Sequence, residues 1–172
     1  MIDTLVSRLA DALRARGAMV ATAESCTGGL IAGACTELAG SSDWFERGVV
    51  SYSNAAKTEL LGVDAALIAG HGAVSEPVAR AMAAGVLARS AAQLSVAVTG
   101  VAGPGGGSAA KPVGTVWLAW AWRDAAGTLH TDALLQRFDG DRAAVRRATV
   151  AAALQGLLER VDLAAPPAGP AR

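Results

Sequence analysis

The strongest constraint in this chain is a repeated pattern of short apolar runs, each too brief for a helix and each ending in a polar or glycine-rich cluster. Residues 18–23 ("AMVATA") lead into Glu24-Ser25-Cys26-Thr27-Gly28-Gly29, residues 48–52 ("GVVSY") into Ser53-Asn54, and residues 94–100 ("LSVAVTG") into "VAGPGGGS". Continuous apolar runs of this length read as strands buried on both faces, which is the habit of parallel sheets. The intervening segments have helical spacing. Leu5, Leu9, Ala12 and Leu13 repeat at three and four residues over 3–16, and Gly17 ends that run. A second helix, capped by Ser25 or Thr27, runs to about residue 38, and Asn54 caps a short one, "AAKTELLG". Ser75-Glu76-Pro77 opens a helix reaching about residue 92. "GTVWLAWAW" and "LHTDALLQRF" are strands joined by a short turn at 124–127, hence antiparallel, and a long helix covers about 141–161. The expected fold is α/β: a three-layer α/β/α sandwich with a mainly parallel mixed sheet, one domain over residues 1–163, and a flexible Pro/Gly/Ala tail at 164–172.

Charge narrows the partners. Fifteen basic and fifteen acidic residues cancel, so no overall field draws in nucleic acid or an anionic membrane, and a small-molecule ligand is expected. No apolar run approaches the roughly 20 residues of a membrane span, and the N-terminus is not patterned as a secretory signal. Two cysteines, Cys26 and Cys35, are too few for a disulfide framework. A soluble, cytoplasmic protein with reduced thiols is the expectation. His71, in what reads as a turn, and His130, at a strand start, are far apart in sequence and suggest no metal site. Trp120 and Trp122, on one strand face, read as core or subunit interface.

In open α/β sheets, ligands gather at the carboxyl ends of the strands. Four polar clusters are assigned there: 24–29, 51–57, 99–108 and the turn at 40–42. Ser25, at a strand-to-helix turn, is either a nucleophile beside free helix amides or, with Thr27, only a cap. Tyr52 is the only tyrosine, and Lys57 is one of two lysines in a chain that otherwise uses arginine. A lysine in an apolar setting can lose its proton and act as a base, which an arginine cannot, and a Ser–Lys pair can replace Ser–His. The glycine-rich segment 103–107 lacks the Gly-Lys-Ser/Thr of a P-loop, yet its amides could cradle a phosphate. Arg142 could reach an anionic substrate; Arg146 and Arg147 read as surface residues.

The stretches "TAESCTGGLIAG", "AGSSDWFERGVVSYSNAAKTELLGV", "HGAVSEPVA", "TGVAGPGGGS" with "KPVGTVW", and "GDRAAVRR" occur in an order and at spacings that resemble the CinA C-terminal domain family. The resemblance covers about residues 5–160 and is strongest to the stand-alone members that deamidate nicotinamide mononucleotide. It implies hydrolysis of that nucleotide's carboxamide in pyridine-nucleotide salvage, by a homo-oligomer of the three-layer fold that uses no cofactor or metal. It also implies Ser25 as nucleophile with Tyr52 and Lys57 as activating partners, and Ser42, Thr99 and Arg142 in the substrate pocket. Two arrangements fit the residues. In one, amides near Thr27, Gly28 and Gly29 hold the oxyanion while Thr99, Arg142 or the loop containing Gly103 and Gly105 holds the phosphate. In the other, the phosphate sits on the Thr27–Gly29 turn and the oxyanion lies near Thr99. A non-catalytic nucleotide-binding or protein-interaction module of the same type is the alternative, and it would bind nucleotide without releasing ammonia.

Overall fold

The computed structural model describes residues 1–168. In chain order it forms α1 (Ile2–Arg16), β1 (Val20–Glu24), α2 (Leu30–Glu37), β2 (Phe45–Val50), α3 (Asn54–Leu61), α4 (Ala65–His71) and α5 (Glu76–Ala88). There follow β3 (Leu94–Gly100), β4 (Thr115–Arg123), β5 (Leu129–Arg137) and α6 (Arg142–Arg160), with 3-10 turns at Ser41–Asp43 and Val161–Leu163. The sheet has the order β2-β1-β3-β4-β5. β2 and β3 run parallel to β1, while β4 is antiparallel to both β3 and β5, so the sheet is mixed. The carboxyl ends of β1, β2, β3 and β5 therefore meet at one edge, together with the start of β4.

Alternate residues of the buried strands feed two separate cores. Val20, Val96, Val98, Leu118 and Trp120 pack with α1, α2 and α6. Ala21, Ala23, Ala97, Ala119 and Ala121 point the other way, against α5 and the ends of α3 and α4. The two faces differ in bulk. The alanine face lets α5 lie close, whereas the branched and aromatic face fills the space under α1 and α6. Trp120 sits in that second interior, its indole N–H donating to the Ala153 carbonyl at 3.2 Å and its ring under the Arg160 guanidinium.

Several local expectations are corrected. β1 extends to Glu24, because its parallel ladder with both neighbours continues that far. Neither Ser25 nor Thr27 caps α2, which starts only at Leu30 behind the left-handed Gly29. Ser53, not Asn54, caps α3 by accepting from the Ala56 N–H. Residues 65–71 form α4, capped by Asp64, and His71 closes that helix instead of lying in a turn. Ala164, assigned to the tail, is buried in the core, its carbonyl accepts from Arg16, and the next amide donates to Arg123 O. Residues 169–172 of that tail lie outside the described residues. Among the described residues no helix is long and apolar enough to cross a membrane.

Candidate active site

The carboxyl edge of the parallel strands brings Ser25 and Lys57 together although 32 residues separate them. Ser25 directly follows β1; its amide donates to Val98 O of β3, and its carbonyl accepts from Gly28, so strand and turn fix it at both ends. Lys57 lies on the inward face of α3, one turn before the buried Leu61. Only 1% of Lys57 is exposed. Its Nζ lies 3.1 Å from Ser25 Oγ, 3.0 Å from Ser51 O and 3.1 Å from Tyr52 O. Burial lowers the Lys57 pKa from its ordinary value, since an ammonium is poorly solvated there.

The Ser25 turn has an unanticipated centre, Glu24. Its carboxylate is buried and takes the Thr27 hydroxyl at 2.6 Å and the N–H groups of Gly29, Ile31 and Ala32 at 2.8–3.1 Å. Gly28 and Gly29 both have positive φ, a conformation that a side chain would disfavour, and it is this reversal that folds the amides back over Glu24. The amides of Gly28 and Gly29 therefore both have acceptors within the turn, the Ser25 carbonyl and the Glu24 carboxylate. Among the described residues, neither the Cys26 nor the Thr27 amide donates to a main-chain carbonyl, and the Cys26 amide faces its own thiol. Arg146 clamps the outside of the turn, donating to Cys26 O at 3.1 Å and Thr27 O at 2.9 Å. Its assignment as a surface residue is thus also corrected.

Tyr52 divides its groups. Its carbonyl holds Lys57, while the residue as a whole is 58% exposed and its phenol oxygen accepts from Arg142 Nη2 at 3.2 Å. Arg142, at the start of α6, also donates to Gly103 O at 2.9 Å and so ties the glycine-rich segment to the site. Gly105 is exposed farther along that segment. Thr99 is buried at the end of β3, and its hydroxyl donates to Ala73 O; it braces the segment before α5 and does not present a free hydroxyl. Lys111 donates to His71 O at the end of α4, at 3.3 Å.

Ser42 does not join them. It is exposed in the turn that precedes β2, at the amino edge of the parallel strands, so the 40–42 turn is on the opposite side of the sheet from Ser25. His130 also stands apart, bonded to Asp124 and stacked on Trp122 near the β4–β5 turn. Burial pushes the Cys26 thiol up to about 11, leaving it protonated and poorly nucleophilic beside Ser25. Among the described residues no group of three His, Cys, Asp or Glu side chains is placed to hold a metal ion.

The family model described as the CinA C-terminal domain matches residues 2–161. The nicotinamide-nucleotide amidohydrolase PncC of Pseudomonas putida is 57% identical over 158 residues, covering 92% of this chain and 96% of that protein. The protein of the same name from Escherichia coli K12 is 51% identical over 156 residues, covering 91% and 92%. Among solved structures, the competence/damage inducible protein CihA of Agrobacterium tumefaciens superposes with a TM-score of 0.85 at 48% identity, over 94% of this chain and 95% of that one. The chain belongs to the CinA C-terminal domain family.

Proposed function

We propose that the protein is a nicotinamide-nucleotide amidohydrolase that converts nicotinamide mononucleotide to nicotinic acid mononucleotide and ammonia in pyridine-nucleotide salvage. The similarity to PncC proteins over nine-tenths of the chain supports the reaction. The observation that carries the mechanism is the set of partners around Lys57 Nζ: two carbonyls, which can only accept, and one hydroxyl, which can donate. A neutral amine has two N–H groups and one lone pair. The N–H groups satisfy Ser51 O and Tyr52 O, and the lone pair is left facing the Ser25 hydroxyl.

The chemistry follows from that count. Ser25 Oγ attacks the carboxamide carbon as its proton passes to Lys57 Nζ, and the tetrahedral oxyanion is met by the Cys26 and Thr27 amides. The C–N bond breaks as the Lys57 ammonium returns the proton to the departing nitrogen, giving ammonia and an ester on Ser25. Water then adds to the ester, again giving its proton to Lys57. The C–O bond to Ser25 breaks, Ser25 regains its proton, and the carboxylate product leaves. Arg142 is assigned to the substrate's phosphate, where it exchanges its bond to the exposed Tyr52 phenol for a charge-assisted one. The phenol so freed can add a hydroxyl to the Ser25–Lys57 pair, as the family resemblance implies.

In the same reading, residues 1–163, together with the buried Ala164, form one three-layer α/β/α domain acting in the cytoplasm as a homo-oligomer without a cofactor. The direct test is product analysis of purified protein given nicotinamide mononucleotide, with nicotinamide and nicotinamide riboside as controls. Formation of nicotinic acid mononucleotide in step with ammonia is expected. Bound nucleotide without turnover would refute the amidohydrolase reading.

A further inference from the structure

Glu24 is buried beside the nucleophile yet forms no ion pair with a lysine, arginine or histidine among the described residues. A buried carboxylate is costly unless compensated, and every strong partner here is a donor from the Ser25 turn or the first residues of α2. One oxygen takes Thr27 Oγ1 at 2.6 Å and the Gly29 and Ile31 amides; the other takes the Ala32 amide at 2.8 Å and, more weakly, the Thr22 hydroxyl. These amides belong to the helix end that favours negative charge. Anions from outside commonly sit at such an end. Here the protein supplies its own.

The same residue reaches the second half of the site. The Glu24 carbonyl accepts from the Ser51 amide at 2.9 Å, and Ser51 and Tyr52 provide the carbonyls that hold Lys57. Glu24 is therefore bonded through its carboxylate to the nucleophile's turn and through its backbone to the base's support. We infer that Glu24 is a positioning residue that locks the Ser25 turn and, by occupying the amino end of α2, excludes the substrate's phosphate from it. The phosphate is thereby directed to the Arg142 side. This inference rests on the amidohydrolase reading above.

The test compares wild type, Glu24→Gln and Glu24→Ala by steady-state kinetics with nicotinamide mononucleotide and by calorimetric titration with inorganic phosphate. Gln keeps the volume but turns an NH2 group towards backbone donors. A fall in kcat of about tenfold to a hundredfold, with KM changed less than about threefold, is expected, as for a slightly displaced reacting group. Ala opens the helix end, and tighter phosphate binding than in wild type, by about tenfold, is expected. General loosening of the fold would lower the thermal midpoint without creating that affinity. A folded Glu24→Gln protein with wild-type kcat would overturn the positioning role. A folded Glu24→Ala protein that binds phosphate no better than wild type would overturn the exclusion role. If Glu24→Ala does not fold, phosphate titration of Glu24→Ser, which is also too short to reach the Ile31 and Ala32 amides, decides that second point in the same way. Absence of ammonia release by the wild type would instead defeat the underlying amidohydrolase reading, while the phosphate titrations would still judge the role of Glu24.

Discussion

Lys57 Nζ stands 3.1 Å from Ser25 Oγ and is held there by two main-chain carbonyls, those of Ser51 and Tyr52. A neutral Lys57 would spend both N–H groups on those carbonyls and turn its lone pair to the serine proton, whereas the ammonium donates its third N–H to Ser25 Oγ. Lys57→Arg is expected to be as inactive as Lys57→Ala, on the order of a thousandfold below wild type in kcat, since a guanidinium keeps its proton at any working pH. Steady-state ammonia release checks this, and substantial activity in Lys57→Arg would exclude lysine as the base.

The protonation of Lys57 should also be visible in stability. Its folded pKa lies below the ordinary 10.5 because of burial, so between those two values the unfolded chain binds more protons than the folded one. Stability from this site is therefore lowest at pH below the folded pKa, rises through the window, and levels off above 10.5. Lys57→Met removes the titration. The thermal midpoint of Lys57→Met relative to wild type is expected to be most favourable at neutral pH and to shift in favour of wild type as pH approaches 10.5. A difference independent of pH would contradict a perturbed Lys57. The kcat of the wild type should rise with pH over the same window.

Arg142 offers a distinction between binding and chemistry. Loss of a charge-assisted hydrogen bond costs about 1.5–3 kcal/mol, so Arg142→Ala should raise KM for nicotinamide mononucleotide by about tenfold to a hundredfold. Nicotinamide riboside lacks the phosphate, and any turnover of it should change little. Equal losses for both substrates would move Arg142 from phosphate binding to support of the Gly103 segment, which it also contacts.

Gly156 tests the packing of α6 on β4. Glycine to alanine in a helix ordinarily gains up to about 1 kcal/mol. Here a Cβ would fall directly onto the Trp120 indole, within the core, and overpacking costs about 1–3 kcal/mol. The clash outweighs the propensity, so Gly156→Ala should lower the thermal midpoint by several degrees with little change in KM.

β1 and β3 were legible because each combines continuous apolar residues with a polar end, and the family resemblance joined Ser25 at one such end with Tyr52 and Lys57. Their contacts were not legible. The separation of Ser42 from Ser25 depends on which edge of the sheet a turn faces, and that follows from strand direction, not from local polarity. Glu24 was hidden for a different reason: an acidic residue after an apolar run looks like the end of burial. Only the two left-handed glycines, which return the α2 amides to its carboxylate, make its burial tolerable. A Glu followed by a hydroxyl residue three positions on and then a Gly-Gly pair was the available signal. Arg146, read as a surface residue, sits one helical turn beyond Arg142, and that spacing was the signal that puts both on one face of α6.

In the proposed mechanism Ser25 and Lys57 together hydrolyse the carboxamide of nicotinamide mononucleotide. Ammonia release from that nucleotide by wild type, Ser25→Ala and Lys57→Ala, each shown to be folded, decides whether they do. The structure leads us to expect release by the wild type and its loss in both variants. Undiminished release by folded Ser25→Ala would contradict the assignment of the nucleophile, and no release by the wild type would contradict the reaction itself.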